Sequence, residues 1–245
     1  MCDFCFMNGP NSKKFWYLLV ISGLLVLPLQ PLVFAHKPID SDGKNNSFDK
    51  AIEIPNHLVS WVIYENIVPG GIKYYKFHAM AGDPLYTQIV IPKLQGLEKF
   101  TPTLVLVGPG TFSNSTKIDR LNFQAGVPSR IYNYMGPLPS KEFYEPFGQA
   151  TYWNRQEVRT TLSHEGTYYL VIFDTQGNGG KYSLAIGEVE DFKPLDFLTI
   201  LPAAWFKTKL FFDDYASFSV GIAVFVGIFS LIGFLIFLII KKKLR

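Results

Sequence analysis

Eight short segments of the chain are rich in Tyr, Val, Ile and Phe and are separated by Gly, Pro, Asn and Asp. No long stretch between them has the 3.6-residue period of a helix. Short β-rich runs with turn residues at their ends are typical of strands in an antiparallel sheet. The pattern therefore predicts an all-β fold, an antiparallel β-sandwich or jelly roll. The predicted strands are Val59–Tyr64, Ile72–Ala79, Leu85–Ile91, Thr103–Val107, Arg130–Met135, Ala150–Leu162, Thr167–Phe173 and Lys181–Ile186.

A second kind of segment is apolar throughout. Residues 217–240 contain no charge, and none occurs between Asp214 and Lys241. As a helix this run is about 36 Å long, enough to cross a hydrocarbon core of about 30 Å. The basic tail, residues 241–245, is expected in the cytoplasm by the positive-inside bias. The pattern predicts a single-pass protein of the cell membrane, with a C-terminal transmembrane helix and the β domain on the extracytoplasmic side.

The first 35 residues resemble a signal peptide. Lys13 and Lys14 precede an apolar stretch, and Ala35 offers a small residue for cleavage. Pro28 and Pro31 would interrupt a continuous helix near its outer end. Two outcomes remain open: cleavage after Ala35, or retention as a signal-anchor. The β domain is outside the cytoplasm in both.

The remaining boundaries follow from polarity. Residues 36–50 are polar and are expected to form a flexible lead-in to the β-sandwich, which occupies residues 51–190. Residues 191–216 mix aromatic and basic side chains just before the apolar run. Such a juxtamembrane segment is typical of an amphipathic helix in the outer membrane interface. The alternative is that it packs against the sandwich.

Charge and cysteine content exclude several classes of protein. The chain has 23 Lys and Arg against 20 Asp and Glu, but six of the bases and one of the acids lie outside residues 36–215. The middle of the chain therefore has 17 bases and 19 acids, a net charge of −2, which argues against nucleic-acid binding. Both cysteines, Cys2 and Cys5, precede the first apolar run. The β domain therefore has neither a disulfide framework nor a thiolate metal site.

Three stretches resemble a known family. They are Pro69–Ile89, Leu104–Gly110 and Gly166–Ile186, which contain the sequences KYYKFHAMAG, LVLVGPG and GTYYLVIF in that order. This order is similar to that of the bacterial pre-peptidase C-terminal domain, a small jelly-roll sandwich. The resemblance implies an accessory or binding module without chemistry of its own. Lys73 departs from the family, which often has an acidic residue at this position, and so does the long segment 111–159.

The candidate ligand surface is the segment Glu142–Glu157, which has the densest mixture of acidic and aromatic side chains. Tyr152 and Trp153 are predicted to stack on a sugar or a protein partner, with polar contacts from Glu145 and Arg155. The alternative is that these aromatic side chains complete the core of the sandwich.

One residue suggests a different function. Cleavage after Ala35 would make His36 the mature N-terminus, whose amine and imidazole together can bind copper. Such a site needs a further imidazole, and only His57, His78 and His164 remain. The sequence contains no nucleophile elbow, HExxH motif or phosphate-binding loop. We therefore predict no enzyme activity and no cofactor. The expected partners are the lipid bilayer and either a glycan or a membrane protein, and the metal-binding alternative uses His36.

Overall fold

The computed structural model describes residues 36–111 and 128–244. The signal-peptide prediction for residues 1–35 lies outside the described residues. The described chain contains the strands β1 (Lys37–Pro38), β2 (Ile52–Glu53), β3 (Trp61–Ile67), β4 (Ile72–Ala79), β5 (Pro84–Pro92), β6 (Thr103–Val107), β7 (Ser129–Tyr132), β8 (Glu142–Glu145), β9 (Ala150–Thr161), β10 (Gly166–Phe173) and β11 (Gly180–Ile186). Two helices follow, α1 (Asp196–Phe211) and α2 (Tyr215–Lys243).

The strands form two sheets that pack face to face. One sheet has the order β1-β3-β11-β5-β9-β8 and the other β2-β4-β10-β6-β7. Within them, β3-β11-β5-β9 faces β4-β10-β6-β7, which is the strand order of a jelly roll. The predicted fold class, an all-β sandwich with an apolar C-terminal helix, is confirmed. All eight predicted strands are present as β3–β7 and β9–β11, while the short strands β1, β2 and β8 were not predicted.

Alternation along β10 places side chains on both faces of its sheet. Tyr168, Leu170 and Ile172 point between the sheets and are fully buried in the main core. Val171 and Phe173 point to the opposite face and form a second, smaller cluster with residues of β4 and β6. A central strand buried on both faces accounts for the continuous apolar run in this part of the sequence.

Residues 36–50 do not form a free lead-in, which corrects the expectation from their polarity. Lys37 pairs in parallel with Trp61 of β3 and is buried. Asn45 is 1% exposed, and its side-chain Nδ2 donates to the carbonyl oxygen of Tyr74 at 3.2 Å. Lys73 donates from its Nζ to the carbonyl oxygen of Gly43 at 2.8 Å. Polar groups of the sandwich therefore hold the segment in place.

Helix α1 packs against the sandwich through its C-terminal half, the second of the two arrangements left open by the sequence. Thr208 is 1% exposed, and its hydroxyl lies 2.7 Å from the hydroxyl of Tyr64 on β3. The ring of Phe211 lies 4.8 Å from that of Tyr64. One residue before Thr208, Lys207 forms an ion pair with Asp40. These contacts fix the helix on the sandwich, whereas the placement of residues 191–216 in a membrane interface stays a prediction.

Helix α2 has 29 residues, and its most apolar window has a mean hydropathy of 3.0. Among the described residues it is the one helix long and apolar enough to cross a membrane. None of its residues is buried by the rest of the protein. The first turns of α2 nevertheless contact α1, because Gly221 leaves room for the ring of Trp205: a Cβ at this glycine would lie 2.6 Å from that ring.

Candidate functional site

The hairpin of β8 and β9 carries the four residues predicted to bind a ligand. Glu145 ends β8, and its carboxylate accepts hydrogen bonds from the backbone N–H groups of Phe147 at 2.7 Å and Gly148 at 2.6 Å. Burial raises the pKa of this carboxyl group, while the two N–H donors and nearby Lys209 act in the opposite direction. The carboxylate therefore stabilises the hairpin turn, and a ligand contact by Glu145 stays a prediction.

Tyr152 and Trp153 lie within the protein. Their exposed fractions are 4% and 5%. Trp153 points between the two sheets into the main core. Tyr152 points to the opposite face of β9, where its ring lies 5.0 Å from that of Phe212 after α1. Neither ring offers a face on which a sugar can stack in this conformation, so their ligand role stays a prediction.

Arg155 is also buried, at 4% exposure. Its Nε donates to the carbonyl oxygen of Phe100 at 2.8 Å, and its Nη2 donates to that of Glu98 at 3.0 Å. Its Nη1 donates to the hydroxyl of Ser140. All three nitrogens of the guanidinium therefore bind the protein itself, and they tie two loops to β9. A ligand contact by Arg155 also stays a prediction.

The same hairpin lines a cavity of about 260 Å³ next to α1. Its wall is formed by the hairpin turn, the C-terminal end of α1 and the residue that precedes α2, and it includes Lys93, Gly148, Gln149, Ala150, Thr151, Thr208, Lys209, Phe212 and Asp214. A Cβ at Gly148 would lie 2.6 Å from the carboxylate of Glu145 and 2.7 Å from Thr208, so only glycine fits between the turn and α1. None of the four predicted residues lines this cavity, although their hairpin forms part of its wall.

Lys209 is the least expected group in this wall. It is 4% exposed, and its Nζ lies 3.4 Å from the carbonyl oxygen of Gln149 and 3.5 Å from a carboxylate oxygen of Asp214. The Nζ also lies 5.2 Å from the centre of the Trp205 ring. Each contact is longer than a strong charge-assisted hydrogen bond of about 2.8 Å. Its ammonium therefore retains capacity to donate to an anionic or carbonyl oxygen in the cavity.

A second lysine, Lys93, also lines the cavity. Lys93 forms an ion pair with Glu142 of β8 at 2.7 Å, and both side chains are about half exposed. The two lysines and Asp214 place charges of both signs around one opening. Such a wall suits a small polar ligand, or the polar end of a larger one, and it lacks the paired acid, base and nucleophile of a hydrolytic site. The aromatic Trp205, four residues before Lys209, was the sequence signal that could have identified this lysine.

The four histidines are not gathered around His36. The Nδ1 of His36 lies 2.6 Å from the hydroxyl of Ser60, and burial lowers the pKa of its imidazole. His57 stacks on Phe77, with ring centres 4.9 Å apart. Within residues 36–111 and 128–244, no group of three His, Cys, Asp or Glu side chains is placed to hold a metal ion. The copper-binding alternative therefore gains no support from the described residues.

His57 makes the stability of the sandwich depend on pH. Burial lowers the pKa of His57 below its ordinary value of 6.5, against a smaller opposing effect of Asp83. Unfolding therefore takes up a proton at pH values between the folded pKa and 6.5, so the free energy of unfolding falls as the pH drops below about 6.5. Urea unfolding of the detergent-solubilised chain at about pH 7.5 and about pH 5.5 measures this change. We expect His57→Gln to make the two curves more similar, and an unchanged difference would contradict the assignment.

Comparison with known proteins finds only solved structures of low similarity among the matches and does not identify a ligand. No protein-family model and no curated protein matches the chain. Among solved structures, the pre-peptidase C-terminal domain of a collagenase from Bacillus anthracis shares 12% identity over 55% of this chain and 91% of that one, with a TM-score of 0.29. The family suggested by the sequence motifs is thus among the structural neighbours, and the predicted resemblance is confirmed to that extent.

Other structural neighbours are proteins with different roles. A periplasmic inhibitor of g-type lysozyme from Salmonella Typhimurium shares 15% identity over 56% of this chain and 96% of that one, with a TM-score of 0.28. A surface-associated copper-binding protein from Methylomicrobium album BG8 shares 8% identity over 56% and 98%, also with a TM-score of 0.28. At these TM-scores the likenesses do not identify a ligand.

Proposed function

We propose that the chain is a membrane-tethered, extracytoplasmic binding or assembly module that recognises a glycan, an envelope component or a membrane-protein partner. The observation that carries the proposal is the way α2 joins the sandwich. Its side chains are exposed from Ile222 onward, and α1 connects it to the β domain through packed contacts instead of a free linker. A helix of this kind has no stable place in water and is accommodated by a bilayer.

Charges at the two ends of α2 support the orientation. Lys241, Lys242 and Lys243 form its last turn, and Asp214 accepts a hydrogen bond from the N–H of Ser217 at its start. Lysines beside a span favour the cytoplasmic side, which leaves the sandwich outside the cytoplasm. We infer that the cavity beside Asp214 then opens close to the outer membrane surface. Its ligand is a group available there, such as a glycan, a headgroup or a neighbouring membrane protein.

Removal of α2 tests the tether. We expect the full chain to remain in the membrane pellet after alkaline carbonate extraction, and a chain that ends after Asp214 to become soluble. Digestion of intact cells with an external protease should degrade the sandwich if it faces outward. A full chain that carbonate releases from the membrane, or a sandwich that only permeabilised cells expose to protease, would contradict the proposal.

The partner can be sought at the cavity itself. Gln149 lies in the hairpin turn and lines the cavity, so a photo-crosslinking residue at this position should capture whatever occupies it. Glu165 provides a matched exposed position in the turn between β9 and β10. Capture from Gln149 but not from Glu165 would support recognition at this hairpin, whereas equal capture would indicate non-specific contact.

A further inference from the structure

Helix α1 carries an apolar stripe that only partly meets another element. Leu195, Leu198, Pro202, Trp205 and Phe206 follow one another at intervals of three or four residues or adjoin the stripe, so they lie along one side of the helix. The opposite side faces the sandwich through Ala204 and Thr208. We refer to these five residues as the α1 stripe.

The C-terminal end of the α1 stripe is covered by α2. The ring of Phe206 lies 5.3 Å from that of Phe218 and 5.5 Å from that of Phe225. The N-terminal end is uncovered, since Leu195 is 66% exposed and Leu198 is 76% exposed. The uncovered leucines therefore lie on the side of α1 that meets the apolar helix, not on the side that meets the sandwich.

The length of α2 indicates how deep this contact lies. A helix of 29 residues is about 43 Å long, which exceeds a hydrocarbon core of about 30 Å by roughly 13 Å. Phe225 lies about 15 Å from the start of the helix. The segment of α2 that contacts α1 is therefore at the outer edge of the membrane, where aromatic side chains are favoured.

We propose that the uncovered part of the α1 stripe lies in the outer interface of the bilayer. Lipid is the occupant because the stripe is continuous with the surface of α2, whose residues are all exposed from Ile222 to Leu244. Salt bridges hold the other side of α1 to the sandwich, from Lys37 to Asp196 and from Lys207 to Asp40. The sandwich is therefore held at a fixed angle on the membrane instead of moving freely on a tether. This inference rests on the proposed membrane span.

Fluorescence quenching in the full chain measures how deeply chosen positions lie in lipid. The described residues contain no cysteine, so replacing Cys2 and Cys5 by Ser allows one fluorophore to be attached at a chosen position. We would label Leu198→Cys, Val226→Cys within α2, and Glu165→Cys, each in the full chain reconstituted into phosphatidylcholine vesicles. Glu165 is exposed in the turn between β9 and β10 and serves as the aqueous control.

Brominated phosphatidylcholine and aqueous iodide then distinguish the outcomes. We expect lipid bromines near the interface to quench the label at position 198 by roughly half, since interfacial helices are buried about 5–10 Å deep. The label at 165 should respond to iodide alone. If position 226 is quenched by lipid while position 198 responds to iodide, or to neither quencher, the stripe is not in lipid although the span stands. If position 226 also escapes lipid quenching, the proposed tether fails as well.

Discussion

Replacing Glu65 by Ala is expected to lower the free energy of unfolding by about 3–5 kcal/mol. A carboxylate oxygen of Glu65 lies 3.1 Å from the Nζ of Lys73, and both side chains are at most 7% exposed. The second carboxylate oxygen accepts a hydrogen bond from Ser41. The substitution leaves the ammonium of Lys73 buried without its counterion and removes the hydrogen bond of Ser41 to β3. Urea unfolding of the detergent-solubilised chain, followed by near-ultraviolet circular dichroism, measures the loss.

Another ion pair on the same strand provides the control. Lys76 of β4 lies 3.6 Å from Glu53, but these side chains are 35% and 73% exposed. We expect Lys76→Ala to cost less than about 1 kcal/mol because solvent screens the pair. The double variant Glu65→Leu with Lys73→Met removes both buried charges and should be more stable than Glu65→Ala. Equal losses from Glu65→Ala and Lys76→Ala would show that burial of the pair has no energetic consequence.

Arg155→Met is expected to destabilise the chain by about 3 kcal/mol, because it leaves buried carbonyl groups without donors. The carbonyl oxygens of Glu98 and Phe100 both accept from the guanidinium. Methionine retains much of the side-chain volume, so the loss reports mainly the hydrogen bonds. The same urea measurement applies.

Arg159, four residues later on β9, is the matched control for Arg155. It pairs with Glu157 and Glu188, but all three side chains are about half exposed. We expect Arg159→Met to cost less than about 1 kcal/mol. If Arg155→Met leaves stability unchanged, the hydrogen bonds of the guanidinium do not stabilise the fold. That result would support the predicted ligand contact.

The sequence predicted the sandwich well because strand formation depends on local pattern. Runs such as Ile72–Ala79 and Thr103–Val107 have the same bounds in the structure. The two-residue strand β1 has no such pattern, since Lys37 and Pro38 are held by parallel pairing with β3. The departure at Lys73 from the family pattern has a tertiary explanation as well, because its partner Glu65 lies on the other sheet. Contacts between distant polar residues leave no local periodicity to detect.

The candidate site was harder to predict for a related reason. Composition drew attention to Tyr152, Trp153 and Arg155. The sequence alone, however, does not distinguish a buried aromatic or arginine side chain from an exposed one. The hairpin itself has a sequence pattern because its turn and charges are local features. The wall contributed by Lys209 depends on α1 folding back onto the sandwich about 60 residues later in the chain. Only the tertiary structure brings this lysine to Gln149.

The burial of Asn45 has a consequence for the order of events during synthesis. Residues 45–47 read Asn-Asn-Ser, an acceptor sequence for N-linked carbohydrate. The nitrogen that would carry the sugar is the one that donates to Tyr74, which emerges from the ribosome 29 residues later. A carbohydrate chain on Asn45 and the closed N-terminal segment therefore exclude each other. In a host that glycosylates secreted chains, occupancy at Asn45 would record whether the transferase or strand β4 reached this side chain first.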